Sequence, residues 1–316
     1  MNWCTAMTPI PCRGRLCGLS KKNRYQCFGC LFSNCRRISS GYSILCQNRL
    51  LSFRTDTGHP VRSRKNLTYG WHMEVDETAI LGGRIRSFQP TRGYRTAIDA
   101  VLLAASVPAK GGQRVLDIGT GVGVSALCLV ARVNGVRVTG LELQAPLAAL
   151  AKRGVIANGY QDLINVLTGN LLDPPAEVER QGFNHVMANP PYAEAGKGNL
   201  PKDHVKAVST VEGRAKLEDW IRFAVFAKSR DGSVTFIHRA ERREQLVTGL
   251  EASGMGRMEL LPLIPKASLD PNRIIVRAWS GRRGKISEAE ALILHENNGA
   301  FTEAAESVLR GGKNLL

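Results

Sequence analysis

Asn189, Pro190, Pro191 and Tyr192 follow directly on the apolar run Val186-Met187-Ala188, and together they supply the parts of a clamp for a planar amino or amide group. Proline locks φ and removes a backbone N–H, so the Asn189 amide and the Pro190 carbonyl face one way without a competing donor. Two acceptors can then hold both hydrogens of one NH2 group, while Tyr192 offers an aromatic face to the ring that carries it. A rigid turn closing a buried strand uses the same residue types, so the tetrapeptide alone leaves both readings open.

A second motif lies upstream. Val115-Leu116-Asp117-Ile118-Gly119-Thr120-Gly121-Val122-Gly123 reads as a buried strand running into a glycine loop, with a helix over residues 124–133 behind it. Gly119, Gly121 and Gly123 let backbone approach a ligand closely. The same loop satisfies the dinucleotide fingerprint through Gly121, Gly123 and Ala126, and Glu142 ends the next strand where a ribose-binding acid belongs. Asp117 decides between the two ligands. A carboxylate at this point attracts the ammonium and sulfonium of S-adenosylmethionine and repels a pyrophosphate. With an amino clamp further along the chain, methyl transfer from S-adenosylmethionine is the expected chemistry.

The net charge of +16 is unevenly spread over the 316 residues. Residues 1–72 hold 12 Lys and Arg against Asp56 alone, a net of +11, whereas residues 73–316 hold 31 against 26, a net of +5. Seven of the eight cysteines (4, 12, 17, 27, 30, 35 and 46) also fall in the first segment, leaving only Cys128 beyond it. That segment has no sustained period of 2 or 3.6, so it reads as a disordered basic extension ahead of a domain over 73–316. Zinc ligation by Cys27, Cys30, Cys35 and Cys46 has familiar spacing only in its CxxC half. A transit peptide fits the Arg-rich composition but lacks an amphipathic stretch. No metal is expected. No apolar run is long enough to span a membrane, and one cysteine in the folded part suits a reducing cytoplasm.

Elements alternate along the domain. Strands are expected near 113–118, 136–142, 163–168, 183–188, 232–238, 258–264 and 273–279, and helices near 98–107, 123–133, 145–158, 216–229 and 242–253, the third closing on the cap Asn158-Gly159. Such alternation specifies an α/β fold with a mainly parallel seven-stranded sheet, helices on both faces and ligand at the carboxyl ends of the strands. Asp117, Glu142, Asn170 and Asn189 all fall at those ends.

At these residues the chain resembles the Rossmann-like class I S-adenosylmethionine-dependent methyltransferases, and more narrowly the bacterial valine tRNA adenine N6-methyltransferases. Besides the glycine loop and the NPPY tetrapeptide, the resemblance rests on Gln89-Pro-Thr-Arg-Gly-Tyr-Arg-Thr-Ala-Ile-Asp-Ala-Val-Leu-Leu-Ala104, and it covers nearly all of 73–316. It implies methylation of adenine 37, next to the anticodon of valine tRNA. It also implies that residues 89–104 wall the cofactor pocket, with Asp99 lining it. Where such enzymes commonly carry an acid touching the cofactor adenine this chain has Asn170, which can still donate and accept.

Roles follow from chemistry. Asp117 is expected to hold the methionine end of the cofactor, with a capping carboxylate for the glycine turn as the plainer alternative. Glu142 is expected to take both ribose hydroxyls, and Asp99 is equally explained as a helix N-terminal acid. Asn189 and the Pro190 carbonyl would hold the amino hydrogens and stabilise the positive charge that grows on nitrogen. Tyr192 would stack the ring, so its replacement by Phe is expected to be mild. Arg84, Arg86, Arg92 and Arg95 form one candidate RNA patch, and Lys197, Lys202, Lys206 and Arg214 a second. Glutamine N5-methylation of a protein such as a release factor uses the same clamp, but residues 1–72 show no helical substrate domain; DNA adenine and ribosomal RNA guanine methylation use it too, though no separate target-recognition insert is evident. A non-catalytic RNA-binding relic would have no reason to keep both motifs.

Overall fold

The computed structural model describes residues 74–92, 98–192, 214–281 and 284–315, and ahead of them the short strands Ile10–Cys12, Arg15–Leu19 and Tyr25–Cys27, and Arg36–Arg37, Ser43–Cys46 and Arg49–Ser52, which pair into two three-stranded antiparallel sheets. The remaining residues of the basic extension over 1–72, Cys30 and Cys35 among them, lie outside the described residues, as do Arg95 and the three lysines 197, 202 and 206.

A central sheet carries the domain. Its strands are β3 (Arg114–Ile118), β4 (Arg137–Glu142), β5 (Ile164–Thr168), β6 (Phe183–Ala188), β7 (Lys228–Arg239), β8 (Met255–Lys266) and β9 (Arg273–Ser280). They lie in the order β5-β4-β3-β6-β7-β9-β8. All neighbours pair in parallel except β9, which runs antiparallel to both β7 and β8. The link from β8 to β9 is too short for a crossover helix and must reverse the chain. Two short strands, β10 (Ile286–Glu288) and β11 (Leu292–His295), add to β8 at the edge. The expected mainly parallel seven-stranded sheet is therefore present, widened by two strands too short to show a period.

Two apolar clusters cover the sheet's faces. Along β3, Val115 joins one and Leu116 and Ile118 the other, which is why the strand reads as a continuous apolar run rather than an alternating one. Helices α1 (Asp99–Ser106), α2 (Val124–Arg132) and α3 (Ala145–Ala157) contribute to the first cluster, and α4 (Leu217–Ala227) and α5 (Arg243–Ala252) to the second. A short α6 (Glu303–Leu309) is capped by the Thr302 hydroxyl.

A hairpin ahead of α1 also has no counterpart in the sequence reading. Arg84, Arg86, Arg92 and Arg95 were expected only as a candidate RNA patch, yet β1 (Val75–Ile80) and β2 (Ile85–Pro90) form an antiparallel hairpin there. It docks through Asn158, whose amide bonds both the N–H and the carbonyl of Arg86 as well as the Gly154 carbonyl. The residue expected to end α3 thus also anchors the hairpin. Of the candidate RNA arginines, Arg84 is bound to the carbonyls of Leu81 and Arg310 and Arg86 pairs with Glu77; Arg92 and Arg214 are exposed.

Candidate active site

Strand register brings the motifs together. In the parallel ladder Gly140 lies beside Asp117, and Met187 and Ala188 lie beside Asp117 and Ile118. Glu142, Gly119 and Asn189 therefore leave three adjacent strands at one level. Thr168 pairs with Glu142 on the far side and leads to Asn170.

The glycine turn is held by its neighbours. The amides of Gly119 and Thr120 donate to the Leu141 carbonyl, and all three turn glycines have positive φ (69°, 58° and 84° at Gly119, Gly121 and Gly123). Gly119 also answers to packing: a Cβ there would lie 2.6 Å from the Trp220 ring on α4. Gly121 donates its amide to Glu142 Oε2 at 2.9 Å, and Gln144 donates to Oε1 at 2.8 Å. The Glu142 carboxylate is thus fixed in orientation, with a lone pair on each oxygen left for other donors. The Asp117 carboxylate accepts the Thr120 hydroxyl at 2.6 Å.

These two carboxylates are 2 % and 5 % exposed, and neither forms an ion pair with a basic side chain among the described residues. Burial first, then the nearby Glu142, pushes the Asp117 carboxyl up to about 7 against the Thr120 hydrogen bond. Burial also raises Glu142, against its amide bonds. Two desolvated acids lacking a cation are costly alone and are complementary to a ligand bearing positive charge and hydroxyls. The residues present therefore fit S-adenosylmethionine and disfavour a pyrophosphate. Leu143, directly after Glu142, is 56 % exposed and offers an apolar surface at the same edge that the sequence reading did not single out. Asn170 uses its Oδ1 to accept the Leu172 amide at 3.0 Å, which leaves its NH2 as the group able to face a ligand.

The second motif forms the opposite wall. Asn189 Oδ1 is buried without a hydrogen-bond partner among the described residues. Tyr192 donates its hydroxyl to Asp99 Oδ2 at 2.5 Å, and Arg273 Nε reaches the same oxygen at 3.2 Å. The Arg273 guanidinium lies 4.5 Å from the Tyr192 ring centroid, and the His238 ring meets the tyrosine edge-on at 5.3 Å and 70°. Burial and the adjacent Asp99 raise the Tyr192 hydroxyl well above its usual range, so it remains a donor. Burial and the surrounding Arg242, Arg273 and Arg239 lower His238 to about 4 despite the Pro191 carbonyl. Its Nδ1 accepts the Arg239 amide, so the neutral ring carries its proton on Nε2.

Asp99 thus belongs with the second motif, holding Tyr192 and Arg273. Asp117, the three glycines, Glu142 and Asn170 gather on one side and Asn189, Pro190, Pro191 and Tyr192 on the other. Arg273, His238, Trp220 and Thr120 were missed. Only Thr120, inside the glycine motif, had a local signal. Arg273 opens an apolar strand and reaches the site because that strand runs antiparallel, setting it opposite Arg239 and Leu263 at the carboxyl edge.

Residues 96–207 match the Methyltransferase small domain. The chain is 25 % identical over 213 residues to a tRNA1(Val) (adenine(37)-N6)-methyltransferase of Actinobacillus pleuropneumoniae, covering 67 % of this chain and 87 % of that one. A protein of the same description from Porphyromonas gingivalis is 28 % identical over 226 residues, covering 66 % and 84 %. Among solved structures, a predicted O-methyltransferase from Agrobacterium tumefaciens superposes with a TM-score of 0.56 at 25 % identity, covering 69 % of this chain and 98 % of the other. The resemblance read from the two motifs, the fold, the cofactor and the enzyme class expected from the sequence are borne out together. With two buried acids that form no ion pair among the described residues under a glycine turn, and an amide acceptor beside them, the chain is an S-adenosylmethionine-dependent N-methyltransferase with a class I methyltransferase fold.

Proposed function

We propose that this chain methylates N6 of an adenine in tRNA, namely adenine 37 next to the anticodon of valine tRNA, in the cytoplasm. The observation that carries this reading is the Asn189 Oδ1, buried and without a hydrogen-bond partner among the described residues. A buried amide oxygen left without a donor is unfavourable by about 1–3 kcal/mol, and an arriving amino group relieves it. The names of the relatives supply the tRNA and the position of the base.

When bound, S-adenosylmethionine supplies an electrophilic methyl on a sulfonium. Asp117 and the oriented Glu142 would hold its cationic and hydroxyl-bearing parts. On the other side, Asn189 Oδ1 and the Pro190 carbonyl accept the two amino hydrogens. That hold favours a more pyramidal nitrogen, whose lone pair is otherwise delocalised into the ring, and it stabilises the charge that develops as nitrogen attacks. Tyr192 fixes the ring plane. Its hydroxyl stays protonated and bound to Asp99, so it is no general base. His238 is neutral near pH 7 and is also fully buried. No base is needed before transfer, because the proton becomes acidic once nitrogen is methylated and leaves to water.

The test is methyl transfer by the full chain to valine tRNA, to the same tRNA with guanine at position 37, to duplex DNA and to a release factor. Transfer confined to the adenine-bearing tRNA is expected. Transfer confined to the release factor would move the assignment to protein methylation.

A further inference from the structure

Arg273 has three features that no role assigned so far uses. Its guanidinium lies over the Tyr192 ring at 4.5 Å. Its Nε is taken by Asp99 at 3.2 Å and its Nη1 by the Asn272 carbonyl at 3.0 Å. It is also the accessible neighbour of that ring: the Arg273 side chain is 26 % exposed, whereas His238 is 0 % exposed. A flat group that approaches Tyr192 from solvent therefore meets Arg273.

We propose that Arg273 forms the second wall of the acceptor slot, so that a nucleobase enters between the Tyr192 ring and the guanidinium plane and stacks on both. This rests on the adenine reading above and deepens it. A guanidinium is planar and weakly hydrated and stacks on purines as it does on aromatic side chains. Its charge is already matched by Asp99 and two of its donor positions are taken, so what it presents to a ligand is its flat face rather than a free cation for a phosphate. Entry of a base requires the guanidinium to lift by about one ring thickness, ~3.4 Å, exchanging its direct Nε bond to Asp99 for a longer-range pairing with the same carboxylate, while Asp99 keeps hold of the Tyr192 hydroxyl. A purine fills such a slot on both faces. A glutamine side chain, whose plane is only an amide, does not, and Arg273 thereby selects a nucleobase over a protein amide.

The experiment uses the full chain and an anticodon-arm RNA of valine tRNA, with adenine at the target position for transfer and 2-aminopurine there for fluorescence. Arg273→Lys keeps the charge and loses the plane, Arg273→Met loses both, and Arg273→His keeps a plane. The Lys and Met variants are expected to raise KM for the RNA about 10-fold, the scale of one stacking contact. They should also leave the 2-aminopurine brighter than in the wild-type complex, with S-adenosylmethionine affinity by calorimetry unchanged. Arg273→His is expected to return KM to within about threefold of wild type. A Lys variant equal to wild type, a His variant no better than Met, or a salt slope that falls by about 1 in Arg273→Met would each overturn the stacking role. A wild-type chain that methylates no RNA would instead refute the adenine reading itself, whatever the variants do.

Discussion

Asp117 should couple cofactor binding to protons. Its carboxyl is fully buried and raised from 3.8 to about 7, a difference of about 3 pH units that corresponds to about 4 kcal/mol. Because the folded value lies above the unfolded one, the folded chain binds the extra proton between these limits, and stability falls as pH rises from about 4 to about 7. A cationic ligand needs the ionised form. At pH 6 a group with a value of about 7 is about 0.9 protonated, and that proton must leave when S-adenosylmethionine binds. The cofactor's own α-amino group, near 7.7–8.0 in ordinary cases, is already protonated at that pH and contributes little. Calorimetry at pH 6 in two buffers of different ionisation enthalpy should therefore find about 0.9 proton released per cofactor. Affinity should weaken about tenfold for each pH unit below 6. Asp117→Asn keeps a partner for Thr120 and removes the titration, so its release should fall by the whole Asp117 share and its stability should be flatter with pH. Release below about 0.3 proton in wild type, or equal release in Asp117→Asn, would show that Asp117 is not the group facing the cation.

The remaining predictions concern the clamp and the turn. Asn189→Ala should leave cofactor affinity within about threefold and lower single-turnover transfer to tRNA by about 10²-fold or more, the scale of one preorganised transition-state partner; full activity would remove the tetrapeptide from the mechanism. Tyr192→Phe, expected from the sequence to be mild, leaves Asp99 without its hydroxyl donor, and thermal melting should reveal a loss of about 1–3 kcal/mol. An unchanged melting curve would indicate that the Asp99 contact is not maintained in solution. Gly119→Ala combines a left-handed φ of 69° with a Cβ 2.6 Å from Trp220, and denaturant unfolding should register a loss of at least about 1 kcal/mol. Calorimetry should find Asp99→Asn nearly neutral for cofactor binding, since the Asp99 carboxylate is occupied by Tyr192 and Arg273; a tenfold loss would return Asp99 to the cofactor pocket.

The amino-acid sequence by itself determined the seven core strands, the helices between them and the two motifs, because each depends on chemistry within a few residues of chain. An apolar run bounded by glycine is a buried strand wherever it packs, and Asn158-Gly159 ends a helix by local geometry. The hairpin of β1 and β2 was not legible, since its strands are stabilised by Asn158 and by packing on α3 rather than by a pattern of their own. Tertiary structure alone decided the acceptor wall. Asp99 and Tyr192 are 93 residues apart and Asp99 and Arg273 are 174 apart, and they converge only because α1 packs across strands whose ends the sheet order brings together. The last core strand had to run antiparallel for its first residue, rather than its last, to reach the site. The same separation explains why Gly119 looked like a ligand-approach residue when it also meets Trp220, and why Asp99 looked like a cofactor or capping acid when it holds the acceptor ring. Spacing along the chain reports what a residue can do, whereas its partner is set by which strand ends meet.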